Sequence, residues 1–158
     1  MTSVAAHGAS GSGLRRWYLV LRNPLERFPL AIVQFAMRIG IGMVFFNSGR
    51  LKYNSWEFAI KLFEDEYKVP LLDPTMAARL ATFSELTFPV LLMIGLATRF
   101  ATLPLLGMVL VIQAFVYPLA WAEHLLWASI LIFILTRGPG ALSLDHLIER
   151  SQLARSAA

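Results

Sequence analysis

The chain contains no cysteine and little charge. None of its 158 residues is cysteine, and only 15% are charged. The missing thiols exclude disulfides, thiolate nucleophiles, thiolate metal sites and iron–sulfur clusters. Any redox role therefore needs a bound cofactor or a partner protein, and no metal site is expected.

Apolar residues are far more abundant than a small soluble domain tolerates. They make up 57% of the chain, and the mean hydropathy is +0.61. A folded soluble protein of this size still exposes roughly a third of its unfolded surface, which this composition cannot cover with polar groups. The formal net charge of +4 does not indicate a nucleic-acid partner, because the basic residues flank apolar runs, as they do in membrane proteins.

Four apolar runs are separated by residues that end or bend helices. They cover about 29–48, 80–98, 100–117 and 121–136. The first three are long enough to cross a bilayer, whereas the fourth gives about 24 Å against a hydrocarbon core of roughly 30 Å. The sequence predicts an all-α, polytopic membrane protein with a four-transmembrane-helix bundle, as a single membrane domain over residues 15–158.

Three further segments carry weaker signals. Residues 1–14 are small and polar and are expected to form a disordered tail. Between the first two spans, apolar residues at helical spacing predict an amphipathic helix over about 55–68. It is expected on the outward-facing surface of the membrane, where its role is to cap the bundle, to gate it or to dock a partner. A short C-terminal helix is expected over about 144–153.

The basic residues indicate an orientation. In a four-span protein, one side of the membrane holds Arg15, Arg16, Arg22, Arg27, Arg99, Arg137, Arg150 and Arg155. The other side holds Arg50, Lys52, Lys61, Lys68 and Arg79, offset by more acidic residues. Because basic residues favour the cytoplasmic side, both termini are expected there.

Two ionisable residues lie inside the predicted spans. Arg38 is about 16 Å along the helix from Arg27, close to the bilayer centre, and Glu85 is about 9 Å past Arg79. Because buried charges in lipid need partners, the two are predicted to pair across the first two helices. Helical side chains lean toward their own N-terminus, which points these two apart. The alternatives are an anionic or quinone-like ligand, or a proton relay.

Other polar residues reach similar levels toward the outer leaflet. These candidate ligand-binding residues are Gln113, Asn47, Tyr117 and His124, alongside Arg38 and Glu85. If they face inward, they line a cavity open to the outside, whereas the alternative is that they satisfy one another at helix ends. Because His7, His124 and His146 lie at different levels, a bis-histidine haem is not expected.

Several short strings occur in an order typical of one family. They are Arg38-Ile39-Gly40, Phe45, Ser48-Gly49, Lys52, Glu85-Leu86, Gly95-Leu96-Ala97-Thr98-Arg99, Gly138-Pro139-Gly140 and Leu142-Ser143-Leu144-Asp145. Over roughly Ile32 to Asp145 the chain resembles the DoxX family of small four-helix membrane proteins. The resemblance implies a bacterial inner-membrane protein linked to redox processes, with redox-enzyme partner subunits. It implies no catalytic residues.

Three functions remain open from the sequence. The chain is a quinone-associated subunit of an oxidoreductase complex, a scaffold that anchors partner enzymes, or a small-solute transporter with an outward-facing polar pocket. A quinone is the expected cofactor of the first, held by Arg38, Glu85 and Gln113. The third is short for a transporter, although a homodimer supplies a second half.

Overall fold

The computed structural model of the protein describes residues 10–156, and every regular element in that range is helical, which confirms the all-α prediction. The α-helices are α1 (Ser10–Glu26), α2 (Leu30–Asn54), α3 (Trp56–Leu62), α4 (Pro74–Ile94), α5 (Thr98–Val111), α6 (Trp121–Arg137) and α7 (Leu144–Ser156). Two π-helical segments, Phe63–Tyr67 and Ile112–Val116, continue α3 and α5.

The N-terminal helix forms a unit of its own. The chain divides into Met1–Leu30 and Ala31–Ala158. Residues 1–9 of the predicted 1–14 tail lie outside the described residues, and α1 begins at Ser10, inside the remainder of that tail. Trp17 and Leu21 are exposed along α1, beside an ion pair in which Arg22 Nε lies 2.5 Å from Glu26 Oε1. An exposed helix with apolar and arginine-bearing positions is typical of a membrane surface.

Three helices are long and apolar enough to cross a membrane. They are Leu30–Asn54, Pro74–Ile94 and Thr98–Val116, which includes the second π-helical segment. The fourth predicted span corresponds to α6, whose 17 residues measure about 25 Å. By length and composition, therefore, three of the four predicted spans are confirmed as candidates.

Contacts between helix ends show that α2, α4, α5 and α6 run antiparallel in succession. The side chain of Gln34, early in α2, donates to the carbonyl of Gly138 directly after α6, at 3.2 Å. At the opposite end, Lys52 of α2 binds Glu85 of α4, and His124 of α6 binds Gln113 near the end of α5. We call the first end, which carries the turns at 95–97 and 138–143, the loop end, and the second the pocket end.

A smaller apolar cluster of Phe63, Ala77 and Ala78 joins the first π-helical segment to α4, and the main apolar core is contributed by these four helices. Its buried members are Ile41, Phe45, Leu92, Leu105, Val109, Leu131 and Ile134. On the outside, Phe83, Leu110 and Leu126 are 61%, 69% and 58% exposed. A surface with so many exposed large apolar side chains requires lipid rather than water around it.

Helix α4 has strong start and stop signals. Asp73 caps its N-terminus by accepting hydrogen bonds from the backbone N–H groups of Thr75 (3.0 Å) and Met76 (3.2 Å), with Pro74 in the first turn. Gly95 ends the helix at φ +75°, a conformation that costs little only for glycine. These caps fix the length of the span.

Replacing Gly95 with alanine is expected to destabilise the protein by about 1–2 kcal/mol or more, because a side chain at positive φ is strained. A Cβ there would also lie 2.5 Å from Ser143 Cβ and collide with the Arg38 guanidinium. Gly107→Ala is the control, since a Cβ at this mid-helix position meets nothing within 4 Å. We expect Gly107→Ala to raise the thermal midpoint in detergent and Gly95→Ala to lower it. Equal midpoints would contradict the prediction.

Candidate functional site

A cavity of about 370 Å³ opens between the helices at the pocket end. We call it the pocket-end cavity. Most of its wall is apolar, and its aromatic residues include Phe45, Phe63 and Trp127. The polar lining residues are Ser48, Lys52, Tyr67, Ser84, Glu85, Tyr117, Glu123 and His124. A mainly apolar cavity with a few convergent polar groups is the usual form of a small-molecule site.

An ion pair is built into one wall of this cavity. Lys52 Nζ lies 2.8 Å from Glu85 Oε2 and 2.9 Å from Oε1, so the ammonium group donates to both oxygens of the carboxylate. The side chains are 11% and 4% exposed. Ser48 completes the group, since its hydroxyl accepts from Lys52 at 2.8 Å and donates to Glu85 at 3.2 Å. The two charges thus compensate each other at a depth where neither tolerates isolation.

The backbone of α2 makes room for this ion pair. Gly49 is buried against α4, and a Cβ there would lie 2.7 Å from the Cβ of Glu85. A side chain at position 49 would therefore push the two helices apart. Close approach at a glycine brings Ser48 and Lys52, one turn apart on α2, onto the carboxylate.

The predicted ion pair between Arg38 and Glu85 is wrong. The Arg38 guanidinium points to the loop end, where Nη1 lies 3.5 Å from the carbonyl oxygen of Leu92 and Nη2 donates to that of Leu142. Leu92 is about 10 Å farther along α4 than Glu85. The physical reason is the lean of helical side chains toward their N-terminus, which carries Arg38 away from Glu85.

Arg38 is instead part of the frame that closes the loop end. It is fully buried, its guanidinium carbon lies 5.6 Å from the centre of the Phe35 ring, and its carbonyl partners belong to α4 and to the turn before α7. It does not line the pocket-end cavity. We therefore assign it to holding the turn at 138–143 on the end of α4.

Gln113 and His124 support the cavity wall together. The Oε1 atom of Gln113 lies 2.6 Å from Nδ1 of His124, and its amide nitrogen donates to the carbonyl of Pro118 at 2.8 Å. Gln113 thus orients the buried ring of His124 without lining the cavity itself. The His124 ring also packs against Trp127, with the ring centres 5.3 Å apart.

The two π-helical segments meet beside the cavity. Tyr67 ends the first and Tyr117 follows the second, with their ring centres 6.0 Å apart. The Tyr117 hydroxyl donates to Glu66 at 3.1 Å. The pKa of the Tyr67 phenol is raised above its usual value, mainly by burial. Tyr117 and the neighbouring carboxylates raise it further. Tyr67 therefore keeps its proton at neutral pH and is a hydrogen-bond donor.

The candidate residues predicted from the sequence divide into three groups. Glu85, Tyr117 and His124 line the pocket-end cavity, and Gln113 contacts His124. Arg38 lies at the other end of the bundle, and Asn47 is exposed on α2 outside the cavity wall. Within residues 10–156, no group of three or more histidine or acidic side chains is placed to hold a metal ion.

Sequence reasoning did not select Lys52, Tyr67 and Trp127, which the cavity wall contains. A usable signal existed for Lys52, because Ser48 and Lys52 are four residues apart and share one helix face. Lys52 was instead assigned to the outer surface, where a lysine at a helix end normally extends to the headgroups. No comparable signal marks Tyr67 or Trp127.

Comparison with known proteins gives one family and one relative of interest. The DoxX family model matches residues 33–118, more than half of the chain. An uncharacterized protein of Haemophilus influenzae is 29% identical over 124 residues, which are 72% of this chain and 82% of that protein. No solved structure matches. The matched range contains α4, α5, most of α2 and both π-helical segments.

Proposed function

The chain belongs to the DoxX family, and from that premise we propose that its pocket-end cavity binds the head group of a quinone. The observation that supports this proposal is a largely apolar cavity with the Lys52–Glu85 ion pair in its wall. Its volume of about 370 Å³ falls in the range of small-ligand sites, roughly 300–1,000 Å³. A quinone is a flat ring with two carbonyl oxygens, which needs apolar walls and a few hydrogen-bond donors.

The polar residues of the cavity are suited to those carbonyl oxygens. Lys52 and Tyr67 are donors on the α2 and α3 sides of the cavity, and His124 lies on α6. Phe45 and Trp127 supply an aromatic surface, with ring centres 5.7 Å apart at an edge-to-face angle. In this arrangement the ring packs against the aromatic residues, and one carbonyl oxygen accepts from Tyr67, or from Lys52 in place of the hydrogen bond that Lys52 donates to Ser48.

The membrane arrangement that fits this site has four spans. Although α6 is short, it runs beside α5 from the level of Gln113 to the level of Gln34, the full height of the bundle. The loop end carries Arg99 and Arg137, and further basic residues precede α2. By the preference of basic residues for the cytoplasm, the loop end and both termini are cytoplasmic, and the cavity lies in the outer half of a bacterial inner membrane.

A partner must supply the electrons. The chain has no cysteine, and within residues 10–156 its two histidines, His124 and His146, lie at opposite ends of the bundle and form no pair that could carry electrons. We therefore propose a quinone-associated or scaffolding subunit of a membrane oxidoreductase complex, in which any catalysis belongs to the assembly. A solute transporter is the alternative, and the apolar wall of the cavity favours a lipid-soluble ligand over a polar solute.

The test measures bound quinone in protein purified with native lipids. Organic extracts of the wild type are expected to contain quinone, detected by mass spectrometry. The double variant Lys52→Met/Glu85→Leu removes both charges at once, so it should still fold. It loses a charged hydrogen bond to the quinone worth about 1.5–3 kcal/mol, which lowers quinone affinity roughly 10- to 150-fold. Lys61→Met, on the exposed face of α3, is the control.

The outcomes separate the functions. Quinone in the wild type and the control, but not in the folded double variant, supports the proposal. Equal quinone in all three refutes it. If enzyme subunits copurify with the protein and no quinone is bound, the scaffold is supported instead. If proteoliposomes with the wild type take up a polar solute and those with the double variant do not, the transporter is supported.

A further inference from the structure

A second hollow, of about 680 Å³, lies at the loop end of the bundle. We call it the loop-end hollow. Its wall contains Arg99, Arg137, His146, Glu149 and the Gly138–Ala141 turn. No residue of this wall lines the pocket-end cavity. The hollow is therefore a feature that the proposed quinone site does not use.

Hydrogen bonds connect the residues that frame this hollow. Gln34 donates to the carbonyl of Gly138 at 3.2 Å, and the Ser143 hydroxyl donates to that of Gly140 at 2.6 Å. Asp145 accepts from the backbone N–H groups of Ala97 at 2.7 Å and Thr98 at 2.9 Å. These bonds tie α7 and the turn before it to the start of α5. They also occupy the N-terminus of α5, so that this helix end is not the ligand site.

Two arginines converge on the same turn. Arg99 lies in the first turn of α5, and a Cβ built on Gly138 would lie 3.6 Å from its Nη2 atom. Arg137 directly precedes Gly138 at the end of α6. Between residues 10 and 156, neither guanidinium group has a hydrogen bond or an ion pair. Of the two carboxylates in the wall, Asp145 is bonded to the backbone of α5. Glu149 therefore remains as the one wall carboxylate that faces Arg99 and Arg137 in the described part of the chain.

We propose that the loop-end hollow binds the phosphate of an anionic phospholipid through Arg99 and Arg137. Guanidinium groups match phosphate oxygens in geometry and charge. Arg99 is the second residue of a candidate span, so it lies at the level of the phosphates of the bilayer. Next to it Phe100 is 63% exposed, which provides an apolar surface for the acyl chains. Basic hollows between membrane helices commonly hold such headgroups.

The experiment measures lipid binding to the purified full chain by native mass spectrometry. The probes are cardiolipin, phosphatidylglycerol, zwitterionic phosphatidylcholine and inorganic phosphate. For Arg99→Gln/Arg137→Gln we expect cardiolipin affinity to fall about 30-fold, since each basic residue near the surface contributes roughly fivefold. The matched control is Arg50→Gln/Arg79→Gln, which removes the same charge from exposed positions at the pocket end.

Selective loss of the two anionic lipids in the first double variant supports the proposal. Equal loss in both double variants would attribute binding to net charge alone and overturn it, as would equal affinity for phosphatidylcholine. If inorganic phosphate binds and depends on the two arginines while the lipids do not, the site takes a soluble phosphate and the lipid assignment is wrong. Bound quinone should be unchanged in every variant, which keeps this test separate from that of the pocket-end cavity.

Discussion

Replacing Lys52 with methionine is expected to lower the free energy of unfolding by about 3–5 kcal/mol, because it leaves a buried carboxylate without its cation. Glu85 is 4% exposed, and apart from the Ser48 hydroxyl its hydrogen-bond partner in the structure is Lys52. Methionine keeps the apolar stem of lysine, so the loss reports the charge rather than the packing. Reversible unfolding by denaturant in mixed micelles, followed by circular dichroism, measures it.

A double-mutant cycle separates pairing from other effects. The Lys52→Met/Glu85→Leu variant should lie within about 1 kcal/mol of the wild type, because replacing a buried ion pair by apolar residues is often neutral. Lys61→Met is the control for removing one lysine, and it should change stability by less than about 0.5 kcal/mol. A double variant as unstable as Lys52→Met alone would show that the pair is not the source of the loss.

The helical class and most of the spans were predictable because a membrane allows few solutions. Every backbone polar group in the hydrocarbon must be satisfied within the chain, so a long apolar run becomes a helix. Residues 29–48, 80–98 and 100–117 overlap α2, α4 and α5 with its π-helical end. The boundaries were less accurate, because α2 continues to Asn54 and α4 starts at Pro74, both in polar sequence that hydropathy alone assigns to a loop.

The pairing of the buried charges was harder to predict. Depth along a helix follows from residue counting, but the partner of a charge depends on the direction and length of its side chain. Arg38 extends toward the start of α2, and its guanidinium reaches carbonyl groups at the loop end. Lys52 extends back toward Ser48 by the same rule, and this brings its ammonium group onto Glu85. Applying the rule to every basic residue of α2 would have favoured Lys52.

The π-helical segments could not be predicted from the sequence. The apolar spacing of Phe63 and Tyr67 is that of an ordinary α-helix, and nothing at Ile112–Val116 marks a change of register. The structure shows a tertiary contact at both segments, since Tyr67 at the end of the first meets Tyr117, directly after the second, edge to face. Such segments are frequent at functional sites, and both of these border the pocket-end cavity.

Filling the pocket-end cavity is expected to expel the quinone while the protein stays folded. Ala81 lines the cavity one helical turn before Glu85, so phenylalanine at this position would occupy the space proposed for the ring. Accommodating the phenylalanine ring and the quinone ring together would cost about 1–3 kcal/mol of overpacking, which lowers quinone affinity by roughly 10- to 100-fold. Titration of the detergent-solubilised protein with a short-chain quinone, followed by quenching of tryptophan fluorescence, measures the affinity.

Two further variants make this result decisive. Ala36→Phe adds the same ring to an exposed position of α2 that lines neither the pocket-end cavity nor the loop-end hollow, so its quinone affinity should equal that of the wild type. Ser84→Leu fills the cavity from the position directly before Glu85, and it is used in place of Ala81→Phe if that variant does not fold. Unchanged affinity in a folded cavity-filled variant would place the quinone elsewhere. Because filling leaves Lys52 and Glu85 in place, it tests the space they border independently of their charge.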